Sequence, residues 1–146
     1  MGKKYEVIGL EEFKKENEKI MIKKIISHNV ELQKILLFLY DKEPASLTEI
    51  ANCFPKFTRV TIWNRLNKLK AFSLVESVTL AETAGKNFKY KEEIKKKYVE
   101  TKQKISQEMM ARKLATSMRF YYTTPLGESL IPLCAKLLGL KLREKR

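Results

Sequence analysis

Cysteine, histidine, proline and glycine are all scarce: two, one, four and five of them among 146 residues. Two cysteines, Cys53 and Cys134, cannot supply a disulfide framework, and each stands in an apolar stretch where a small buried thiol is the usual occupant. That points to a reducing, intracellular compartment, taken here as cytoplasmic. The lone histidine, His28, has no Cys/His spacing around it that could enclose zinc, so no metal site is assigned. Beside Ser27 and Asn29 it reads as a helix-start residue. No apolar run approaches the roughly 18 residues of a membrane span, and the N-terminus, which mixes lysine with glutamate, lacks the apolar centre of a signal peptide. A soluble protein with no membrane partner is expected. There is no Gly-rich phosphate loop, no nucleophile elbow and no salient pair of carboxylates, which argues against an enzyme and leaves no cofactor or small-molecule ligand to name.

What the chain has in excess is positive charge. Thirty Lys and Arg stand against 17 Asp and Glu, a net charge of +13. Such a field attracts and steers a polyanion, nucleic acid before an anionic membrane, although a lysine-rich surface can also serve solubility alone. Where the charges sit decides between these readings. The length fits one domain with a helix appended at either end.

The pattern along the chain is mostly helical. Residues 1–27 carry an amphipathic helix with Phe13, Ile20, Ile25 and Ile26 among alternating charges, able to pack on the core or on a partner chain. Leu32, Ile35, Leu36 and Leu39 mark the first core helix, and Asp41–Ala45, with Pro44, reads as a loop. Ser46-Leu-Thr-Glu49 is a capping box that starts a short helix turning Leu47, Ile50, Ala51 and Phe54 inward and ending before Pro55. Thr58 is the N-cap of a second helix, whose Ile62, Leu66 and Leu69 recur at core spacing. Leu74–Leu80 and Arg119–Thr124 read as two antiparallel strands. Between them, after a turn at Ala84–Asn87, a Lys-rich helix runs from about Tyr90 to Ala115 with Ile94, Tyr98, Ile105 and Met109 as its apolar stripe. Thr124 as N-cap and Pro125 at the first helical position open a final helix. Its Leu126, Leu130, Leu133, Leu137 and Leu140 form a coiled-coil-like seam, bent at Pro132.

From Ser46 onward, "SLTEIANCFPKFTRVTIWNRLNKLKAFSLVE" resembles the helix-turn-helix of MarR-like, ArsR-like and HxlR-like archaeal and bacterial regulators. Tyr121-Tyr-Thr-Thr-Pro-Leu-Gly127 is similar to their closing strand and helix cap, and Leu130 and Pro132 continue the likeness to HxlR-like members. The resemblance covers about half the chain. It implies a mainly α fold with a small antiparallel β-hairpin: a winged helix-turn-helix over 28–124, with a long basic insertion in the wing at 81–117 and extra helices at 1–27 and 125–146. Three positions depart from it. Ser73 stands where glycine is usual, Thr123 replaces a leucine, and the connection between the strands is far longer than a normal wing.

The residues of the second helix can be sorted by geometry, at about 100° per residue with Ile62, Leu66 and Leu69 aimed at the core. Val60, Asn64 and Asn67 then point outward, flanked by Thr61, Trp63 and Lys68, with Arg59 and Arg65 near the boundary. No carboxylate occurs from Lys56 to Lys70. Asparagine can pair bidentately with adenine, threonine and valine can meet a thymine methyl, and the cations neutralise phosphates. Lys56, Thr58, Arg59, Val60, Thr61, Trp63, Asn64, Arg65, Asn67 and Lys68 are therefore candidate contacts to double-stranded DNA, joined by Lys86 and Lys89 from the connection. Trp63 has the competing role of a packing aromatic. The basic connection suits either a wing along the phosphate backbone or a helix joining two subunits through Ile94, Tyr98, Ile105 and Met109. Leu130, Leu133, Leu137 and Leu140 are candidates for a homodimer interface, the alternative being that they complete one core. The expected function is a dimeric transcriptional regulator, a repressor by preference. The alternatives are an architectural or partition protein and a winged-helix module that binds protein.

Overall fold

The computed structural model describes residues 5, 7–103 and 117–143. Helix α1 spans Leu10–Ser27 and α2 Val30–Lys42; strand β1 is Ala45–Ser46; α3 covers Leu47–Cys53 and α4 Arg59–Ala71. Strand β2, Val75–Thr79, leads through a 3-10 turn at Ala81–Thr83 into α5, Lys91–Lys102. Strand β3, Arg119–Thr123, precedes α6, Pro125–Ser129, and α7, Ile131–Leu137. The result is mainly helical, with one small sheet of order β1-β3-β2, antiparallel throughout. The expectations for Ile105, Met109 and the rest of 104–116 lie outside the described residues. Among the described residues no helix is long and apolar enough to cross a membrane.

Side-chain caps set the helix starts. Asn29 accepts from the Leu32 amide, Ser46 from Glu49, Thr58 from Thr61 and Thr124 from Gly127. The Ser46–Glu49 capping box is reciprocal, since the Glu49 carboxylate also accepts from the Ser46 amide at 3.3 Å. Each such cap is worth about 1 kcal/mol. His28 is not at a helix start. It closes α1, and Asn29 opens α2. The corner between them is locked by Gln33, a buried amide whose Nε2 donates to the carbonyls of Ile26 at 2.7 Å and Ser27 at 3.2 Å.

The core forms around α2. Leu32, Ile35, Leu36 and Leu39 are buried among Ile50, Ile62, Leu66, Leu69, Leu74 and Ile131. Each fully buried aliphatic contributes about 2 kcal/mol of transfer free energy, so this cluster is what fixes the pose of α4. Strand β1 starts at Ala45, the end of the predicted loop, and takes in the capping residue Ser46. Ala45 and Ser46 carry little strand preference of their own and pair because β3 offers them an edge, Ala45 opposite Tyr121 and Ser46 opposite Phe120. Cys134 is buried as predicted, but Cys53 is exposed, because it is the last residue of α3 and faces away from the core.

The C-terminal helix is not continuous. Pro132 has no N–H to give, and the chain breaks at Leu130 into α6 and α7. Helix α7 then stops at Gly139, whose φ of 69° allows the Gly139 amide to reach the Lys136 carbonyl and the Leu140 amide to reach that of Ala135. The predicted leucine seam is thereby divided. Leu130 is buried in the chain's own core, Leu133 packs against it, and Leu137 and Leu140 remain 48% and 57% exposed. Leu133 lies beside Ile22 of α1, while Leu140 lies on the opposite side of the tail near Leu37 and Phe38 of α2.

Candidate nucleic-acid interface

Helix α4 is held by Ile62, Leu66 and Leu69, all fully buried. Its approach is the turn Phe54–Thr58, in which the Phe57 amide donates to the Phe54 carbonyl at 3.0 Å and the rings of Phe54 and Phe57 lie 6.5 Å apart. The opposite face is open. Lys56, Thr58, Arg59, Val60, Trp63, Asn64 and Lys68 are exposed, while Thr61, Arg65 and Asn67 are half-buried. Val60 is 67% and Trp63 49% exposed, so the indole is not a core aromatic. The Thr61 hydroxyl lies 3.0 Å from that of Thr58 and belongs to the cap.

Arg65 is already engaged. Its Nε donates to Oε2 of Glu31 on α2 at 2.7 Å, across 34 residues of sequence. Both side chains are partly exposed, which limits the pair to under about 1 kcal/mol, but it places a carboxylate beside a helix that carries none of its own. Arg119, which belongs to no sequence motif of the interface, shares a cleft with Arg59, Trp63, Thr48 and Thr101. Its guanidinium donates to Ser77 at 3.2 Å and lies 3.4 Å from Glu82. No local pattern could have joined it to α4, because its place comes from β3 lying beside the start of α3.

Lys86 and Lys89 are exposed, but they sit on the segment entering α5, against the outer face of the sheet: Lys86 beside Tyr122 and Lys89 with its Nζ 4.7 Å from the Tyr90 ring centre. Phe88 and Tyr90 pack on Tyr122 at 5.2 and 5.9 Å. This anchors the insertion to its own domain. One carboxylate organises the anchor. Glu43 Oε1 accepts from the Tyr90 hydroxyl at 2.6 Å, and Oε2 accepts from both the amide and the hydroxyl of Thr123, at 2.7 and 2.6 Å. Burial, then the hydrogen bond to Glu43 and its charge, push the Tyr90 phenol well above its ordinary pKa. Thr123, a departure from the resembled pattern, supplies two of these donors.

Further along α5, Ile94 is fully buried and Lys97 donates to the Pro44 carbonyl and, at 3.0 Å, to Oε2 of Glu49. Glu49 thus caps α3 with one oxygen and holds α5 with the other. Ile94 is therefore enclosed by its own chain and unavailable to join two subunits; Lys95 and Lys96 differ from it, Lys95 and its neighbour lying toward solvent. Among the described residues no group of three His, Cys, Asp or Glu could hold a metal ion. Comparison with protein-family models, curated proteins and solved structures gives no match.

Proposed function

We propose that this chain is a double-stranded DNA-binding transcriptional regulator, a dimeric repressor with a winged helix-turn-helix in which α3, the turn and α4 are the reading unit and β2–β3 the wing. The observation that carries the reading is the open face of α4: Asn64 and Val60 at its centre, Lys56, Arg59 and Lys68 around them, and no carboxylate in the sequence from Lys56 to Lys70. A duplex favours such a surface because base edges ask for amide and methyl contacts while phosphates ask for cations. The net charge of +13 supplies the long-range attraction. A two-fold dimer would set two copies of α4 into successive major grooves, roughly 34–36 Å apart. Leu137 and the exposed Phe13, Ile20 and Met21 of α1 are among the apolar side chains available for that contact.

The test compares a selected operator with random duplex over a salt series. Replacing Asn64 and Asn67 with alanine is expected to remove about 1–3 kcal/mol of preference for the operator for each bidentate pairing with a base, with little change on random DNA. Equal losses on both duplexes, or no duplex binding at low salt, overturn the reading. A second reading has one observation in its favour: Val60 and Trp63 make the centre of the face partly apolar, as a protein-binding module requires. Under that reading Trp63→Ala abolishes partner capture and the chain shows no salt-dependent affinity for duplex.

A further inference from the structure

A cleft of about 670 Å³ opens between the middle of α2, Phe54 at the end of α3, and the tail that follows α7. Small-molecule sites span roughly 300–1,000 Å³. The floor is apolar, made by the half-buried Leu37, Phe38, Phe54 and Leu138. The mouth is cationic. Lys34 comes from α2 and Lys141 and Arg143 from the tail; all three are exposed and, among the described residues, none has an ion-pair partner. The one acid of the lining, Asp41, lies 3.7 Å from Lys42.

The charges choose the occupant. A second copy docked here about a two-fold axis would set the same three cations of each chain against one another, which disfavours self-association through this mouth. An apolar body with one anionic end matches floor and rim together. The cleft also touches the approach to α4: the Phe54 ring meets Phe38 edge-on at 5.9 Å and lies against Phe57, and the Phe54 carbonyl accepts the hydrogen bond that closes the turn.

We propose that this cleft binds a small amphipathic anion, a carboxylate on an apolar chain or ring, and that occupancy tightens the turn Phe54–Thr58. The site stands independently of what α4 binds, because the test contains no DNA. Calorimetry of the full chain with decanoate is expected to show saturable binding. Decyltrimethylammonium, with the same chain and the opposite charge, should bind at least about tenfold more weakly. The double variant Lys34→Glu with Arg143→Glu alters exposed side chains only and should weaken decanoate on the order of tenfold. Leu138→Trp, which fills the floor, should abolish binding. Amide exchange at 54–58 should slow in the decanoate complex.

Equal binding of the two ions, or indifference to the rim variant, overturns the site. So does loss of binding in Phe13→Ser on α1, which would locate the ligand there. A decanoate affinity that weakens as protein concentration rises identifies a second copy as the occupant and likewise overturns it. Binding without slowed exchange at 54–58 overturns the coupling to the turn.

Discussion

The carbonyl oxygen of Leu74 lies 2.1 Å from where a Cβ on Gly127 would stand, so the start of β2 and α6 meet backbone to backbone. The same oxygen accepts from the Thr124 amide at 3.1 Å, and the Thr124 hydroxyl donates to the Ser73 carbonyl at 2.6 Å. Gly127→Ala must open this junction, because a backbone oxygen cannot yield as a side chain would. The expected loss is about 3 kcal/mol, the upper end of what overpacking costs. Urea denaturation reads it, and an unchanged midpoint would show that the strand and helix part without penalty.

Ser73 has a φ of 61° at the end of α4, where its amide reaches the Lys70 carbonyl and the next amide, of Leu74, reaches Leu69. This left-handed closure suits glycine and costs another residue about 1–2 kcal/mol. The bond from Thr124 uses the Ser73 carbonyl, which any residue keeps. Ser73→Gly is therefore expected to stabilise the fold by about 1 kcal/mol, seen as a higher urea midpoint with the same slope. A lower midpoint would mean that the greater freedom of glycine in the unfolded chain outweighs the relief.

Stability should fall in alkali. Burial raises the Cys134 thiol from its ordinary 9.0 to about 11, and the Tyr90 phenol is raised as well. Both groups hold protons more tightly folded than unfolded, so their contribution is complete below about pH 9 and disappears as pH climbs through the folded values. In Cys134→Ala the part of the decline between about pH 9 and 11 should be absent, as measured by urea midpoints at several pH values. In the native protein one thiol, Cys53, should react with a disulfide reagent, and Cys134 only on unfolding.

Lysines of α5 separate by what they touch. Lys97→Met removes the donor shared by Pro44 and Glu49 and should cost about 1 kcal/mol, since the pair is partly exposed. Lys95→Ala with Lys96→Ala should leave stability within about 0.5 kcal/mol, and on the DNA-binding reading should weaken every duplex alike and flatten the salt slope. A stability loss equal to that of Lys97→Met would show that all three lysines hold α5 down.

What can be read along the chain is what neighbours in sequence decide. The caps at Ser46, Thr58 and Thr124 act over three residues, and Ile62, Leu66 and Leu69 share a face by helical geometry alone, so these starts and this face are legible. Strand β1 is not, because its two residues pair only with β3, some 75 positions on. The Arg65–Glu31 and Lys97–Glu49 pairs are hidden for the same reason: both ends are ordinary surface charges until α2, α3, α4 and α5 are placed. Pro132 foretells a bend, but the full break at Leu130 depends on that residue being drawn into the core. The cleft beneath the tail exists because Gly139 turns the chain back over α2, a tertiary outcome with no signature in the spacing of leucines.

Trp63 is the single tryptophan of the chain, and it stands half in water on α4. Native fluorescence should therefore be red-shifted already and change little when the protein unfolds, while any body that seats itself on that helix must dehydrate or quench the indole. On the DNA-binding reading the chain carries its own optical gauge of contact, read at Trp63 without any added label.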